Sequence, residues 1–292
     1  MTAYLLNLAQ LAAIFGLLAA SLNVLVGYGG IFSVAHAVFF GFGAYAGAQI
    51  ALNVTPDVLL VSIGGGLVAG VLSLALALPA LRVRGEYFVV ASLGLQMVAT
   101  TIFTEAEPVT GGLGGLVGIP PPQLLGFSLA SPWAFLAVCL AALLGGLATM
   151  RVLMRGSFGR SLMALRDSES AAEAFGKNVA LLKTLAVALG CTIAGVAGGL
   201  FALQMAFVNV ESFTLDQSVL VLAMVIVGGT GTLAGPLVGT LLLLLLPAAL
   251  TFLPGIPPTE IGAVQQAIYG LAMALLMIFR PAGLAGRALG KR

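Results

Sequence analysis

Charge is what this chain has least of. Only 8% of its 292 residues are Asp, Glu, Lys or Arg, against about a quarter in a typical soluble domain. That excludes an ordinary soluble fold. Histidine occurs once and cysteine twice, and Cys139 and Cys191 each lie inside an apolar run, so they read as small buried hydrophobes with no partners for a metal site or disulfide. The net charge of +2 gives no footing for nucleic-acid binding. No Lys or Arg lies between Lys183 and Arg280, so Gly228-Gly-Thr-Gly-Thr-Leu-Ala-Gly235 lacks the Lys-Ser/Thr pair of a phosphate loop. The chain has no nucleotide site of its own in this reading, and any energy must come from elsewhere. Met1-Thr-Ala-Tyr carries no basic n-region, so the first apolar run is expected to be kept rather than cleaved.

What is present is hydrocarbon. The composition is 60% hydrophobic, the mean hydropathy is +1.15, and apolar runs near the bilayer-crossing length of about 20 residues recur. We read an all-α, polytopic membrane protein of about eight to ten helices, forming a single transmembrane domain over residues 1–292. Alternating ten-residue segments, the mark of a transmembrane barrel, are absent. Spans are expected near 4–26, 31–52, 58–81, 87–103, 132–153, 184–208 and 261–279, with shorter pieces at 219–227 and 236–253. Glycine breaks the pattern twice. Val26-Gly-Tyr-Gly-Gly30 and Val227-Gly-Gly-Thr-Gly231 share V-G-x-x-G, which reads either as an internal repeat of the transporter kind or as two similar turns.

The loops sort by sign. Basic residues fall only near 82–84, 151–183 and 280–292, while the remaining loops hold Asp57, Glu105, Glu107, Glu211, Asp216 and Glu260. The positive-inside rule assigns the first set, with residues 155–183 and the C-terminus, to the cytoplasm. Before Asp57 there is no charge, so the side of the N-terminus stays open; two spans there would place it outside.

Candidate polar residues within the spans are few. Ser33 and His36 share a face if both are helical, but no acid within the spans orients the imidazole, so an intramembrane enzyme is not favoured. They read either as lining a polar passage or as bonded to a neighbouring helix. Asn23, Ser33, His36, Gln96 and Gln204 form the candidate solute pathway, with helix–helix adhesion as the other reading. Every acid is placed in a loop or at a helix end, which counts against a proton- or sodium-driven carrier.

Mid-chain, residues 151–183 hold six of the twelve basic residues and three of the ten acidic ones. Two short amphipathic helices are expected. Ser157 or Ser161 caps the first, Leu162, Met163 and Leu165 form its apolar side, and Arg160 and Arg166 its charged side. Ser168 opens the second, which carries Ala171, Ala172 and Phe175 and stops at Gly176. A helix meant only for anionic lipid would be purely basic; Asp167, Glu169 and Glu173 favour a protein partner.

In Ser21–Tyr45, Leu81–Phe88, Val109–Gly112, Gly159–Gly176 and Val227–Pro236 the chain resembles the permease subunits of branched-chain amino acid ABC importers, of the LivM type. The resemblance implies a complex in a bacterial inner membrane, with a LivH-type permease, two cytoplasmic ATPases and a periplasmic binding protein. ATP would be hydrolysed by the partners, with no cofactor on this chain. The polar segment would be the coupling element, with Arg160, Leu162, Arg166, Glu169, Ala171, Ala172, Glu173 and Gly176 as ATPase-coupling residues. Ser170-Ala-Ala-Glu-Ala-Phe-Gly176 is similar to the E-A-A-x-x-x-G pattern of such permeases, with serine in place of the leading glutamate. Glu105, Glu107, Glu211 and Asp216 are the expected contacts for the binding protein. Branched-chain amino acids are the default cargo, with urea, short amides, other amino acids or small carboxylates as alternatives. The competing function is an ATPase-independent channel or secondary carrier.

Overall fold

A computed structural model describes residues 2–81, 87–129, 131–250, 261–279 and 283–285. In chain order the elements are α1 (Thr2–Asn23), which runs on as a π-helix (Val24–Tyr28), then α2 (His36–Asn53), α3 (Val58–Leu81), α4 (Tyr87–Glu105) and α5 (Glu107–Thr110). Strands β1 (Leu116–Val117), β2 (Gln123–Leu124) and β3 (Phe127–Ser128) precede α6 (Pro132–Arg155), α7 (Ser157–Asp167), α8 (Glu169–Ala174) and α9 (Val179–Met205). β4 (Phe207–Val208), α10 (Leu215–Gly228), α11 (Gly235–Leu250) and α12 (Ile261–Phe279) follow. The strands make only two small antiparallel ladders, β1 with β4 and β2 with β3. This is a polytopic helical membrane fold.

Among the described residues, four helices are long and apolar enough to cross a membrane: Thr2–Tyr28, Tyr87–Glu105, Pro132–Arg155 and Val179–Met205. The first and last lie mostly inside the bundle, whereas α4 and α6 turn most of their surface outward. The centre is α2, α3 and α9, packed closely because glycines meet across them. A side chain on Gly43 would run into the Gly195 backbone, and one on Gly47 would come within 2.9 Å of the Gly199 Cα.

Two ends of the bundle can be told apart by charge. At the acidic end Asp57 caps α3 by accepting from the Leu59 N–H at 2.9 Å, and its other oxygen accepts from Leu125 N–H at 2.6 Å in the β2–β3 hairpin. Gln10 donates to the Pro132 carbonyl at 2.7 Å, and Gln204 to Asn7 Oδ1 at 3.4 Å. Both contacts place the start of α1 at this same end of the bundle. Arg155 and α7–α8 lie at the opposite, basic end. The basic loop at 82–86, the loop containing Glu260 and the basic residues at 280 and 287–292 lie outside the described residues.

Four local expectations are corrected. Gly27 does not stop the first helix: the chain widens into a π-turn and leaves helical geometry only at Gly30, whose φ of +66° is costly for a residue with a Cβ. Residues 31–35 are not helical, so α2 starts at His36 and Ser33 lies outside it. The apolar piece expected at 219–227 starts at Leu215 instead, because Phe213 is fully buried, 5.5 Å from the Phe40 ring, and draws the chain back into the bundle. Neither Ser157 nor Ser161 caps α7; Gly156 holds that position without a side-chain bond.

The close packing gives a direct test. At Gly195 a Cβ would lie 2.5 Å from both the Ala69 Cβ and the Gly65 carbonyl oxygen, so we expect Gly195→Val to lower stability by about 1–3 kcal/mol, read as a lower unfolding midpoint in detergent.

Candidate functional site

A helix that begins inside the membrane exposes its first N–H groups where no water can bond them. At the entry to α2, side chains from three segments bond the N–H of Ala37, in its first turn, and those of Val34 and Ala35 just before it. Ser92 of α4 accepts from Val34 N–H at 3.1 Å, Ser33 from Ala35 N–H at 3.3 Å, and Ser218 of α10 from Ala37 N–H at 3.0 Å. Ser218 in turn donates to Gln96 Oε1 at 3.1 Å, and Gln96 Nε2 donates to the Phe213 carbonyl at 2.8 Å. His36 Nε2 lies 2.8 Å from Ser21 Oγ. Because the single Ser21 hydroxyl proton goes to the Leu18 carbonyl at 2.6 Å, the imidazole is the donor.

Three of the expected pathway residues are therefore occupied with the protein's own backbone and side chains. The cavity lined by Ser33, His36, Ser92 and Cys191 has a volume of about 10 Å³, room for about one water and none for an amino acid. No carboxylate among the described residues contacts His36, and Ser33 bonds to a backbone N–H rather than to the imidazole. The arrangement joins helices and supplies no nucleophile. Ser21, Ser92 and Ser218, which complete it, carried no signal in the sequence beyond being lone hydroxyls in apolar runs.

At the basic end the two glycine breaks meet each other. Asn23 reads the backbone of the second break with both ends of its amide: Nδ2 donates to the Thr232 carbonyl at 2.8 Å and Oδ1 accepts from Gly231 N–H at 2.9 Å. A side chain on Gly27 would collide with Asn23 and Gly231, so only glycine permits the approach. The segment 283–285 adds a further layer, with Leu284 N–H bonded to the Val227 carbonyl at 3.0 Å and Ala285 N–H to that of Gly228 at 2.8 Å.

Arg166 ties this junction to α7. Its Nη1 donates to the Gly27 carbonyl at 2.6 Å, one of the acceptors left without a helical partner where α1 ends. A guanidinium there also faces the negative end of the helix dipole, and a charged hydrogen bond of this kind contributes about 1.5–3 kcal/mol. Helical spacing predicts Arg166 on the charged side of α7; in the structure it reaches inward to Gly27, and Asp167 3.6 Å from its Nε partly balances its charge. Leu162 is also buried, next to Gly29.

Outward of this junction, α7 and α8 enclose an open groove of about 690 Å³ lined by Arg160, Ala164, Ala171, Ala172 and Phe175. Phe175 is 84% exposed. Ser168 caps α8 by accepting from Ala171 N–H, and Gly176, at φ +74°, ends the segment. Glu169 pairs with Lys183 at 2.8 Å, so it braces α8 against α9. Arg160, Ala171 and Ala172 thus border the groove, Leu162, Arg166 and Glu169 hold it to the bundle, and Glu173 sits on α8. Gln204 is at the other end, against Asn7. Glu105, Glu107 and Glu211 are exposed at the acidic end, while Asp216, expected in a loop, is on the first turn of α10.

A family model described as branched-chain amino acid transport system, permease component, matches residues 4–280. The chain belongs to this family. The permease is 28% identical over 302 residues to the high-affinity branched-chain amino acid transport system permease protein LivM of Escherichia coli K12, covering 95% of this chain and 69% of that one. It is 26% identical over 291 residues to the probable branched-chain amino acid transport permease protein LivM of Methanocaldococcus jannaschii, with 90% and 83% covered. It is 28% identical over 222 residues to the autoinducer 2 import system permease protein LsrC of Yersinia enterocolitica, with 74% and 58% covered. No solved structure matches. The family is one of transport permeases, not of enzymes.

The buried polar network predicts an asymmetry between serine and glutamine. Ser218→Ala strands the Ala37 N–H and Gln96 Oε1 and should cost about 1–3 kcal/mol, whereas Gln204→Ala, at the exposed rim, should stay within about 0.5 kcal/mol of wild type; detergent unfolding midpoints compare the two.

Proposed function

We propose that this permease is the LivM-type half of an ABC importer for branched-chain amino acids or a similar small polar solute. It works with a LivH-type permease, two cytoplasmic ATPases and a periplasmic binding protein in a bacterial inner membrane. In this reading the basic end is cytoplasmic and the acidic end receives the binding protein at Glu105, Glu107 and Glu211. The observation that carries it is the α7–α8 groove, solvent-open on one side and bonded through Arg166 to the first helix break on the other. A surface built that way receives a push and delivers it to the bundle.

The solute passes between this chain and its partner permease. In support, the cavity beside His36 holds about 10 Å³, and the polar side chains around it are committed to α2. Cargo identity rests with the binding protein. The similarity to permeases named for amino acid and autoinducer 2 import supports a small polar solute as the cargo, with branched-chain amino acids favoured by the longer matches.

Co-expression of the full complex tests this reading. Ala171→Asp and Phe175→Asp, in the groove, should reduce the ATPase that co-purifies by about tenfold, a loss of about 1.4 kcal/mol. Arg166→Ala should leave ATPase binding in place yet lower solute uptake per ATP by a similar factor. A wild-type chain that transports its solute with no ATPase bound would overturn the importer reading in favour of a channel or secondary carrier.

A further inference from the structure

Asp216 sits at a depth where a carboxylate is not expected. Ser218, two residues further along α10, bonds both to Gln96, the midpoint of the 19-residue α4, and to the second residue of α2. Asp216 is therefore only about 3 Å along the helix axis from that level. On the other side of it in sequence, the Phe213 carbonyl also bonds to Gln96. Asp216 is thus held near the middle of the span and not in an outer loop.

It is also exposed on this chain, and among the described residues it has no ion pair or hydrogen bond through its carboxylate. Lipid is an unfavourable cover for it, because an ionised carboxylate at the bilayer centre is strongly penalised. The backbone beside it gives a second, independent reason. The chain is non-helical at Thr214, between the Phe213 carbonyl at the level of Gln96 and the start of α10, and such backbone inside a membrane persists only where protein or a water-filled cavity covers it. Both observations require a polar cover on this face.

We propose that Asp216 lines the aqueous solute path between this chain and its partner permease and receives the ammonium group of an amino acid passing through. The assignment rests on the importer reading above. It places on this chain a fixed negative charge halfway across, with the Ser218–Gln96 bonds holding the first turn of α10 so that the carboxylate faces outward. A carboxylate in the first turn also favours the helix dipole, so the test must separate transport from stability.

In the complete complex, with Cys139 and Cys191 buried, Asp216→Cys should react with a water-soluble thiol reagent. A thiol reached only by a lipid-soluble reagent, or by none, overturns the proposal. Asp216→Asn should assemble and hydrolyse ATP but take up L-leucine, delivered by the binding protein, about tenfold more slowly per ATP, and Asp216→Glu should recover part of the rate. Leucine uptake per ATP unchanged in Asp216→Asn, with only the unfolding midpoint lowered, reduces the residue to a helix-terminal charge and overturns the proposal. If the wild-type complex binds no ATPase or carries no leucine, it is the importer or cargo reading that fails, and the labelling result still decides whether Asp216 faces water.

Discussion

Lipid offers no hydrogen bonds, and this constraint organises the permease. A helix that starts or stops within the bilayer must find partners for its free N–H and C=O groups inside the protein. The chain breaks its first hydrophobic hairpin between Tyr28 and His36, and among the described residues most buried polar side chains near that break satisfy backbone, while His36 bonds to the Ser21 hydroxyl. Ser92, Ser33 and Ser218 take the N–H groups at the start of α2, and Arg166 takes a carbonyl at the end of the π-turn. Because these donors and acceptors come from α4, α7 and α10, closing the break also fixes where those helices sit.

The same bonds join distant parts of the chain into one unit. Asn23 clamps the second break to the first, and Arg166 fastens both to α7 at the basic end. A displacement of α7 and α8 is therefore carried to two discontinuous helices at once, without a path through the tightly packed α2–α3–α9 centre. Glycine makes this geometry available at Gly27, where any side chain would part the two breaks. Packed elements of this kind switch between arrangements rather than deform gradually.

Much of this was legible in the residues. The spans at 58–81 and 261–279 coincide with α3 and α12, and among the described residues the basic segment 151–183 and the acids Asp57, Glu105 and Glu107 lie at opposite ends of the bundle. The two V-G-x-x-G breaks were visible, but not that they touch, because the side chain that joins them, Asn23, lies more than two hundred positions from its partners. The inward reach of Arg166 to Gly27 was not legible: helical spacing tells which residues share a face, not that a neighbouring helix end will draw an arginine inward. Asp216 was misplaced for a related reason. Charge and hydropathy put an acid in a loop by default, whereas burial of Phe213 among the rings of Phe40, Tyr45, Phe103 and Phe201 draws the start of α10, and Asp216 with it, down into the bundle.

In the proposed function this chain is moved from outside: its glycine-rich segment lacks the Lys-Ser/Thr pair of a phosphate loop, and the α7–α8 groove offers a partner a surface at the basic end. Its energy source is the most direct measure of that claim. In vesicles containing the complete complex and the loaded binding protein, solute uptake should require ATP on the side of α7 and α8 and should be indifferent to an imposed proton or sodium gradient. Uptake that follows the gradient and proceeds without ATP would contradict it.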